Sequence, residues 1–407
     1  MIPLADAQAH VLGAVGPLAP RAVSLSDALG LVTAEEIVAS EPVPPFANTA
    51  MDGYAVRAED TAGAGAAAPV QLRVVGDLPA GRSPEGISVG SGEAVRIMTG
   101  APLPTGADAI VMVEETERAG DDGVRILREA GVGDHVRPSG GDLVAGQSVF
   151  PAGTVLTPAH LGVLASLDRR EVSVVGRARV AVISTGDELV ESGPLAPGQI
   201  RDANRPMLLA LVAATGAEPV DLGIAPDDES RIIELLEQGL TTCDAVVTSG
   251  GVSVGDYDYV KAALDRLGAL EWWQVAIKPA KPLAFGVIDG TPVFGLPGNP
   301  VSSHVSWELF ARPAVLGRMG HAHRFRPEVS AVAAHDLRRK PDGKLHLDRV
   351  HVEYEGGRYR VARTGAQQSN VLSAMAAANG LALLPDGDGV AAGDDVTVML
   401  LDAACDH

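Results

Sequence analysis

Thr248 to Lys261 reads TSGGVSVGDYDYVK. Ser249, Gly250 and Gly251 end an apolar run, and Asp256 and Asp258 follow within seven positions. Glycine admits positive φ and lets backbone N–H groups approach a ligand, so this pair suits a phosphate cradle. An ordinary strand-to-helix turn would use the same residues. Carboxylates just beyond it would hold a cation beside the anion. Ser184-Thr185-Gly186-Asp187-Glu188 has a similar make-up, with hydroxyls and carboxylates for a phosphate and a hydrated Mg²⁺, or for a plain helix N-cap. Glu188, Asp227, Asp228 and Asp258 are hard oxygen ligands of the kind Mg²⁺ takes one or two at a time, together with phosphate and water. Helix capping accounts for one of the Asp227–Asp228 pair.

Lysine marks a third place. The chain has five lysines against 27 arginines, and two of the five stand in Lys278-Pro279-Ala280-Lys281-Pro282. Lysine is a compact point charge suited to an oxyanion, and the prolines stiffen the segment. Leu296-Pro297-Gly298-Asn299-Pro300-Val301-Ser302-Ser303 reads as a rigid turn opening a helix, whose free N–H groups attract an anion. Asn48-Thr49-Ala50-Met51-Asp52-Gly53-Tyr54-Ala55, Met98-Thr99-Gly100 and Gly140-Gly141-Asp142 are polar turns that define no chemistry alone. Histidine, as in His321-Ala322-His323, forms no Ser-His-Asp or Cys-His arrangement.

These loops need a scaffold. From Arg177 to about Gly320, runs such as RVAVIST, EPVDLGI, CDAVVTS and TPVFGL alternate with helical stretches NRPMLLALVAATGA, DDESRIIELLEQGL and VSSHVSWELFARPAVLG. That alternation predicts a doubly wound, largely parallel sheet, with ligands beyond the carboxyl ends of its strands. Asn204 is the expected N-cap of the first helix. The KPAKP segment is the exception among these loops, since it precedes its strand. Ala47 to Val144, with VQLRVVG and EAVRIMTG, reads as a small β-rich module. GLVTAEEIVAS and GQSVFPAGTVLTPAHLGVLAS flank it and are expected to pair, making the module an insertion. From Arg326 onward, short runs such as EVSAVAAH, LHLDRVHVEY and DDVTVMLL predict a small β-barrel or sandwich.

The totals set limits. A chain of 407 residues organises more than one core. Hydrophobic residues are 46% and aromatics only 3%, so Val, Leu, Ala and Ile must fill those cores. A formal charge of −20 argues against nucleic acid and anionic membrane as partners, so attraction for an anion must come from a few local cations and backbone amides. Cys243 and Cys405 form no disulfide framework and no CxxC, which fits a reducing compartment. No apolar run reaches membrane-spanning length, and the N-terminus lacks a basic n-region, reading instead as an amphipathic helix. The expectation is a cytoplasmic protein.

Taken together, NTAMDGYA, RIMTGAPLPTGADAIV, GDHVRPSGGD, STGDEL, TSGGVSVGDYDYVK, IKPAKPLAFG and GLPGNPVS resemble, in order and spacing, the MoeA/gephyrin E-domain family of molybdopterin molybdenumtransferases. The resemblance spans essentially the whole chain and is most specific up to about Pro313. It implies an elongated first domain (1–46 and 145–176), a β-rich inserted domain (47–144), a MogA-like α/β domain (177–325) and a C-terminal β-barrel (326–407). It implies an elongated homodimer whose sites lie between the third domain of one subunit and the second domain of its mate. The implied reaction inserts molybdenum from molybdate into adenylylated molybdopterin and releases AMP, with Mg²⁺ assisting. Ser249, Gly250, Gly251 and Thr185 then correspond to substrate-binding positions. Glu188, Asp227, Asp228 and Asp258 match the acidic and Mg²⁺ positions. Lys278, Lys281 and Ser302 match the oxyanion site, with Pro297 and Pro300 in its wall, and Asp52, Thr99 and Asp142 would come from the partner. A MogA-like adenylyltransferase and recipient molybdoenzymes are the implied protein partners. The last domain departs from the family pattern: its GRxEFxR-like stretch is Gly343-Lys344-Leu345-His346-Leu347-Asp348-Arg349 here and Gln368-Ser369-Asn370 matches the Gln-x-Ser region only loosely, so the resemblance carries no molybdate contact over to Lys344, Arg349 or Ser369. Two rival readings are an adenylyltransferase that consumes ATP and a non-catalytic scaffold of the gephyrin type. Tungstate, nearly equal to molybdate in size and charge, is an alternative oxyanion.

Overall fold

The computed structural model describes residues 1–250, 262–263, 266 and 270–401. The chain divides into two compact units, one of residues 1–34, 152–157 and 171–407, the other of residues 35–151 and 158–170.

The first unit is built on a six-stranded sheet. Its strands are β1 (Arg179–Thr185), β2 (Glu218–Ala225), β3 (Ala245–Ser249), β4 (Glu271–Gln274), β6 (Pro282–Ile288) and β7 (Thr291–Leu296), with the two-residue β5 (Ile277–Lys278) between β4 and β6. The order is β2-β1-β3-β7-β6-β4. The first four of these run parallel, while β6 and β4 are antiparallel to their neighbours. Buried positions fill β1, β3 and β7 almost without interruption, as strands covered on both faces require. Helices α1 (Asn204–Ala214) and α2 (Glu229–Thr242) connect the parallel strands. A third helical run, α3, starts at Pro300 and continues to Arg318 through a π-helical turn at Trp307–Ala311. Pro313 has no N–H with which to serve the Leu309 carbonyl. That carbonyl accepts instead from Gln8 Nε2 at 3.1 Å, tying in the N-terminal helix Leu4–Ala14. Ala7 and Val11 of this helix are buried in the same core as Leu309 and Val315.

The C-terminal strands β8 (Glu328–Ala333), β9 (Leu345–Glu355), β10 (Arg358–Arg363), β11 (Gly380–Leu384) and β12 (Asp395–Leu400) form a barrel. The order β9-β10-β8-β12-β11 closes through the pairing of β11 with β9. Closure leaves no open edge among these strands and selects the barrel over the sandwich. β5 adds to it in parallel, Lys278 lying opposite His346.

In the second unit, strands Ala109–Met112, Gly53–Val56, Glu93–Ile97, Gly65–Leu78, Gly123–Arg128 and Thr116–Arg118 make a six-stranded sheet in that order. The segments expected to pair around the β-rich module do so: Ile37–Val38 pairs with Ser148–Phe150, and Val32 bridges Val155 within the first unit. No helix among the described residues is long and apolar enough to cross a membrane.

Candidate functional site

Four loops meet beyond the carboxyl ends of β1, β2, β3 and β7. They and the start of α1 line a cleft of about 630 Å³ that includes Thr185, Gly186, Glu188, Asn204, Asp227, Ser249, Gly250, Pro297 and Pro300. Thr185 Oγ1 donates to the Ser249 carbonyl at 3.5 Å, and Gly250 N to the Leu296 carbonyl at 3.1 Å. Gly250 has φ +102, and a Cβ there would lie 2.8 Å from both Thr185 O and Thr185 Oγ1. The glycine is thus demanded by the neighbouring loop, whatever it binds. Gly186 is constrained through its φ of +142 rather than by space, since the atom a Cβ would meet, Glu188 Oε2 at 2.3 Å, is the tip of a flexible side chain.

The KPAKP segment reaches the same edge by a route its sequence position hides. Because β6 runs antiparallel to β7, the beginning of β6 lies beside the end of β7. Pro282 therefore borders the cleft, and Lys278, Lys281, Ser302 and Pro297 line an adjoining cavity of about 430 Å³ with Lys344, Gln367, Gln368 and Ser369. The Lys278–Pro279 bond is cis and Ala280, which is buried, has φ 73. A third cavity, about 530 Å³, shares Lys278, Pro279, Gln367 and Gln368 with the second and adds Lys340, His346 and Arg349. All four lysines among the described residues line the second or third cavity. Neither Lys278 nor Lys281 has a carboxylate within 4.0 Å among the described residues, whereas Lys344 Nζ pairs with Asp342 at 2.9 Å. That pairing, followed by a hydrogen bond to His346, holds the Asp342 carboxyl down at about 2. Arg349 is 1% exposed and donates to the Ala366 and Gln368 carbonyls at 3.1 Å. Burial pushes its guanidinium below the ordinary value.

Of the acidic candidates, Glu188 and Asp227 border the cleft. Asp228 does not join them in the lining; it caps α2, its Oδ1 accepting from Arg231 N at 2.9 Å. Asp227 is held through its backbone, N donating to Asp187 Oδ1 at 3.0 Å. Gly251 and Asp258 lie outside the described residues. Among the described residues no group of three or more His, Cys, Asp or Glu side chains gathers to hold a metal ion. Two carboxylates on one cleft nonetheless fit Mg²⁺ that takes its other ligands from phosphate and water.

In the second unit, Asp52 and Thr99 come together. Thr99 N and Oγ1 both donate to Asp52 Oδ1 at 2.7 Å. The backbone donor first, then the hydroxyl, holds the Asp52 carboxyl below its ordinary value, so it is anionic at neutral pH. Asp142 is exposed on its turn, its N donating to the Val43 carbonyl at 2.9 Å.

One expectation fails. Asn204 is not the N-cap of α1 but its first residue, with Ala203 at the cap position. Asp202 does the capping work from two residues upstream, accepting from Arg205 N at 3.1 Å and from Ser184 Oγ at 3.0 Å. Arg205 Nε returns to Asp202 Oδ2 at 3.1 Å, and its other nitrogens reach Asp221 and Glu191. Asn204 instead ties two loops, Nδ2 donating to Ser249 Oγ at 2.7 Å and to the Gly298 carbonyl at 2.7 Å. Reading the sequence by capping preference missed Asn204 and Arg205 as site-building residues. The signal available was the run of three hydrogen-bonding residues in Asp202-Ala203-Asn204-Arg205, of which Asp202 and Arg205 pair with each other and all three reach distant segments.

Residues 2–167 match the model for the MoeA N-terminal region (domain I and II), 181–317 that for a probable molybdopterin binding domain, and 330–401 that for the MoeA C-terminal region (domain IV). The chain is 44% identical over 387 residues to a Mycobacterium tuberculosis protein named molybdopterin molybdenumtransferase 2, covering 93% of this chain and 94% of that one. It is 38% identical to the Haemophilus influenzae molybdopterin molybdenumtransferase over 92% of each. A crystal structure of the molybdopterin biosynthesis MoeA protein from Pyrococcus horikoshii superposes with a TM-score of 0.82 at 32% identity, over 98% of this chain and 100% of that one. With three matching regions in the same order and full-length relatives well above 30% identity, the chain belongs to the MoeA family of molybdopterin molybdenumtransferases.

Proposed function

We propose that the chain inserts molybdenum from molybdate into the dithiolene of adenylylated molybdopterin and releases AMP. The coarse activity, molybdenum transfer in molybdenum cofactor biosynthesis, follows from family membership. The observation that supports the finer reading is the adjacency of two unlike cavities. One is ringed by glycine loops, hydroxyls and two carboxylates, the other by Lys344 and by Lys278 and Lys281, which have no carboxylate within 4.0 Å among the described residues, and they share Pro282, Pro297 and Asn299. A phosphorylated pterin fits the first and a small dianion the second. Thr185, Ser249, Gly250 and, by the resemblance, Gly251 cradle the pterin phosphate. Lys278, Lys281 and Ser302 take the oxyanion, with Pro297 and Pro300 as wall. Glu188 and Asp227 would hold Mg²⁺, with Asp258 the third carboxylate by the resemblance; the ion would neutralise charge on the phosphoanhydride. The expected result is AMP release that requires molybdate, matches the molybdenum inserted and falls when Mg²⁺ is chelated. Consumption of ATP without molybdate would replace this reading by adenylylation. Absence of both activities would leave a scaffold.

The chain acts as a cytoplasmic homodimer in this reading, with Asp52, Thr99 and Asp142 of one subunit completing the site of the other. Asp52 is an exposed, anionic group whose side-chain hydrogen bonds among the described residues come from Thr99, with Arg96 adding a nearby positive charge, and its exposure suits a contact made across a subunit boundary. Two variants each expected to be inactive, Asp52→Ala and Asp258→Ala, are expected when mixed to recover about one working site per heterodimer. Verified heterodimers with no recovered activity would exclude sharing.

A further inference from the structure

Asn204 does more than hold two loops together. A carbonyl oxygen only accepts hydrogen bonds, so the atom facing Gly298 O at 2.7 Å must be the NH₂ group of the amide. The same NH₂ group faces Ser249 Oγ at 2.7 Å, which makes that oxygen an acceptor. The hydroxyl hydrogen of Ser249 is then left over. No hydrogen bond among the described residues uses it, and Ser249, 2% exposed, borders the cleft. With Asn204 Nδ2 holding one lone pair of Ser249 Oγ, the hydroxyl hydrogen is free to donate to a group bound in the cleft that both residues border.

We infer that Asn204 is a positioning residue that fixes Ser249 as a hydroxyl donor aimed at an anionic group of the substrate. This rests on the functional reading above and adds to it a residue that sets polarity at the phosphate. The amide's own position is fixed from below. Asp202, with its side chain 1% exposed, holds Arg205 N and Ser184 Oγ, and Arg205 anchors the start of α1 to Asp221 and Glu191. The network thus runs from a buried ion pair, through the first turn of α1, to one serine hydroxyl. It also explains why asparagine stands here. Alanine would leave the hydroxyl free to rotate. Aspartate, with no hydrogen to donate, would repel the Gly298 carbonyl and turn the Ser249 hydrogen away from the cleft.

The test is a double-mutant cycle with purified adenylylated molybdopterin as the probe, binding read by calorimetry and turnover by AMP release. Asn204→Ala is expected to weaken binding about tenfold, Asn204→Asp about a hundredfold, with KM rising more than kcat falls. In a Ser249→Ala background, Asn204→Ala should cost less than about threefold more, because its effect runs through the hydroxyl. Full multiplication of the two losses in proteins that melt like wild type would overturn the inference and leave Asn204 a loop tie. A Kd unchanged in Asn204→Ala would overturn it as well. If wild type itself fails to bind the probe, the functional reading falls, and this role with it.

Discussion

Gly250→Val is expected to weaken binding of adenylylated molybdopterin by about a hundredfold or more in a protein that still folds. The backbone there has φ +102, and a Cβ would sit 2.8 Å from Thr185 O and Thr185 Oγ1. The β1 and β3 loops would have to separate, dragging Thr185 and Glu188 away from Ser249. Strain of this kind costs about 1–3 kcal/mol and falls at the site rather than in the core. Valine at this position alone does not tell a ligand-approach glycine from a loop-packing one. Gly298→Ala does. Among the described residues a Cβ at Gly298 meets only Gly250 Cα at 3.7 Å, an ordinary contact, and the residue borders the cleft. Gly298→Ala should therefore keep wild-type melting, and any loss of binding in it reports space taken from the substrate. Calorimetry on both variants, with circular dichroism as the check on folding, decides. Wild-type affinity in a folded Gly250→Val protein would show that the converging loops do not form the substrate site.

The alternation of strand and helix from Arg177 onward made the α/β sheet legible, because buried parallel strands need continuous apolar runs and helical crossovers. Period alone could not reveal the direction of β6. Ile277–Lys278 and Pro282–Ile288 look like any strand pair, yet antiparallel pairing with β7 is what brings KPAKP to the cleft edge. Pattern alone likewise left barrel and sandwich open, since closure depends on the long-range pairing of His346–Val350 with Gly380–Leu384, and it was the family resemblance that pointed to the barrel.

The candidate site was legible where a residue type had one use and ambiguous where it had two. Lysine scarcity pointed to Lys278 and Lys281, and the structure places both on one cavity. Asp227 and Asp228 were indistinguishable in sequence; the α2 cap separates them, taking Asp228 and leaving Asp227 on the cleft. Asn204 was misassigned because asparagine before a helix is usually a cap. Its partners Ser249 and Gly298 lie 45 and 94 positions away, beyond any local rule. Lys344 and Ser369 sit in a stretch that departs from the family pattern, yet both line the cavity of Lys278 and Lys281.

Lys281→Ala is expected to raise the molybdate concentration needed for half-maximal AMP release by about ten- to a hundredfold while leaving the fold intact. The side chain is exposed, lines the oxyanion cavity and has no carboxylate within 4.0 Å among the described residues. Its structural contribution is through the backbone, whose carbonyl accepts from Val275 N at 2.8 Å, and alanine keeps that bond. Losing a charge-assisted contact costs about 1.5–3 kcal/mol, which is the stated range in affinity. Stability should change by no more than about 0.5 kcal/mol, since nothing is buried or left unpaired. Lys281→Arg restores the charge but not the compact geometry, so partial recovery is expected. Tungstate, of nearly equal size and charge, should lose affinity in the same ratio. Lys278→Ala should act in the same direction, because Lys278 lines the same cavity without a carboxylate partner among the described residues. The measurement is AMP release against molybdate concentration at fixed adenylylated molybdopterin, with melting temperature recorded for each variant. A Lys281→Ala protein with wild-type molybdate dependence would make KPAKP a surface turn, and the oxyanion would have to be sought among Lys344, Ser369 and Arg349.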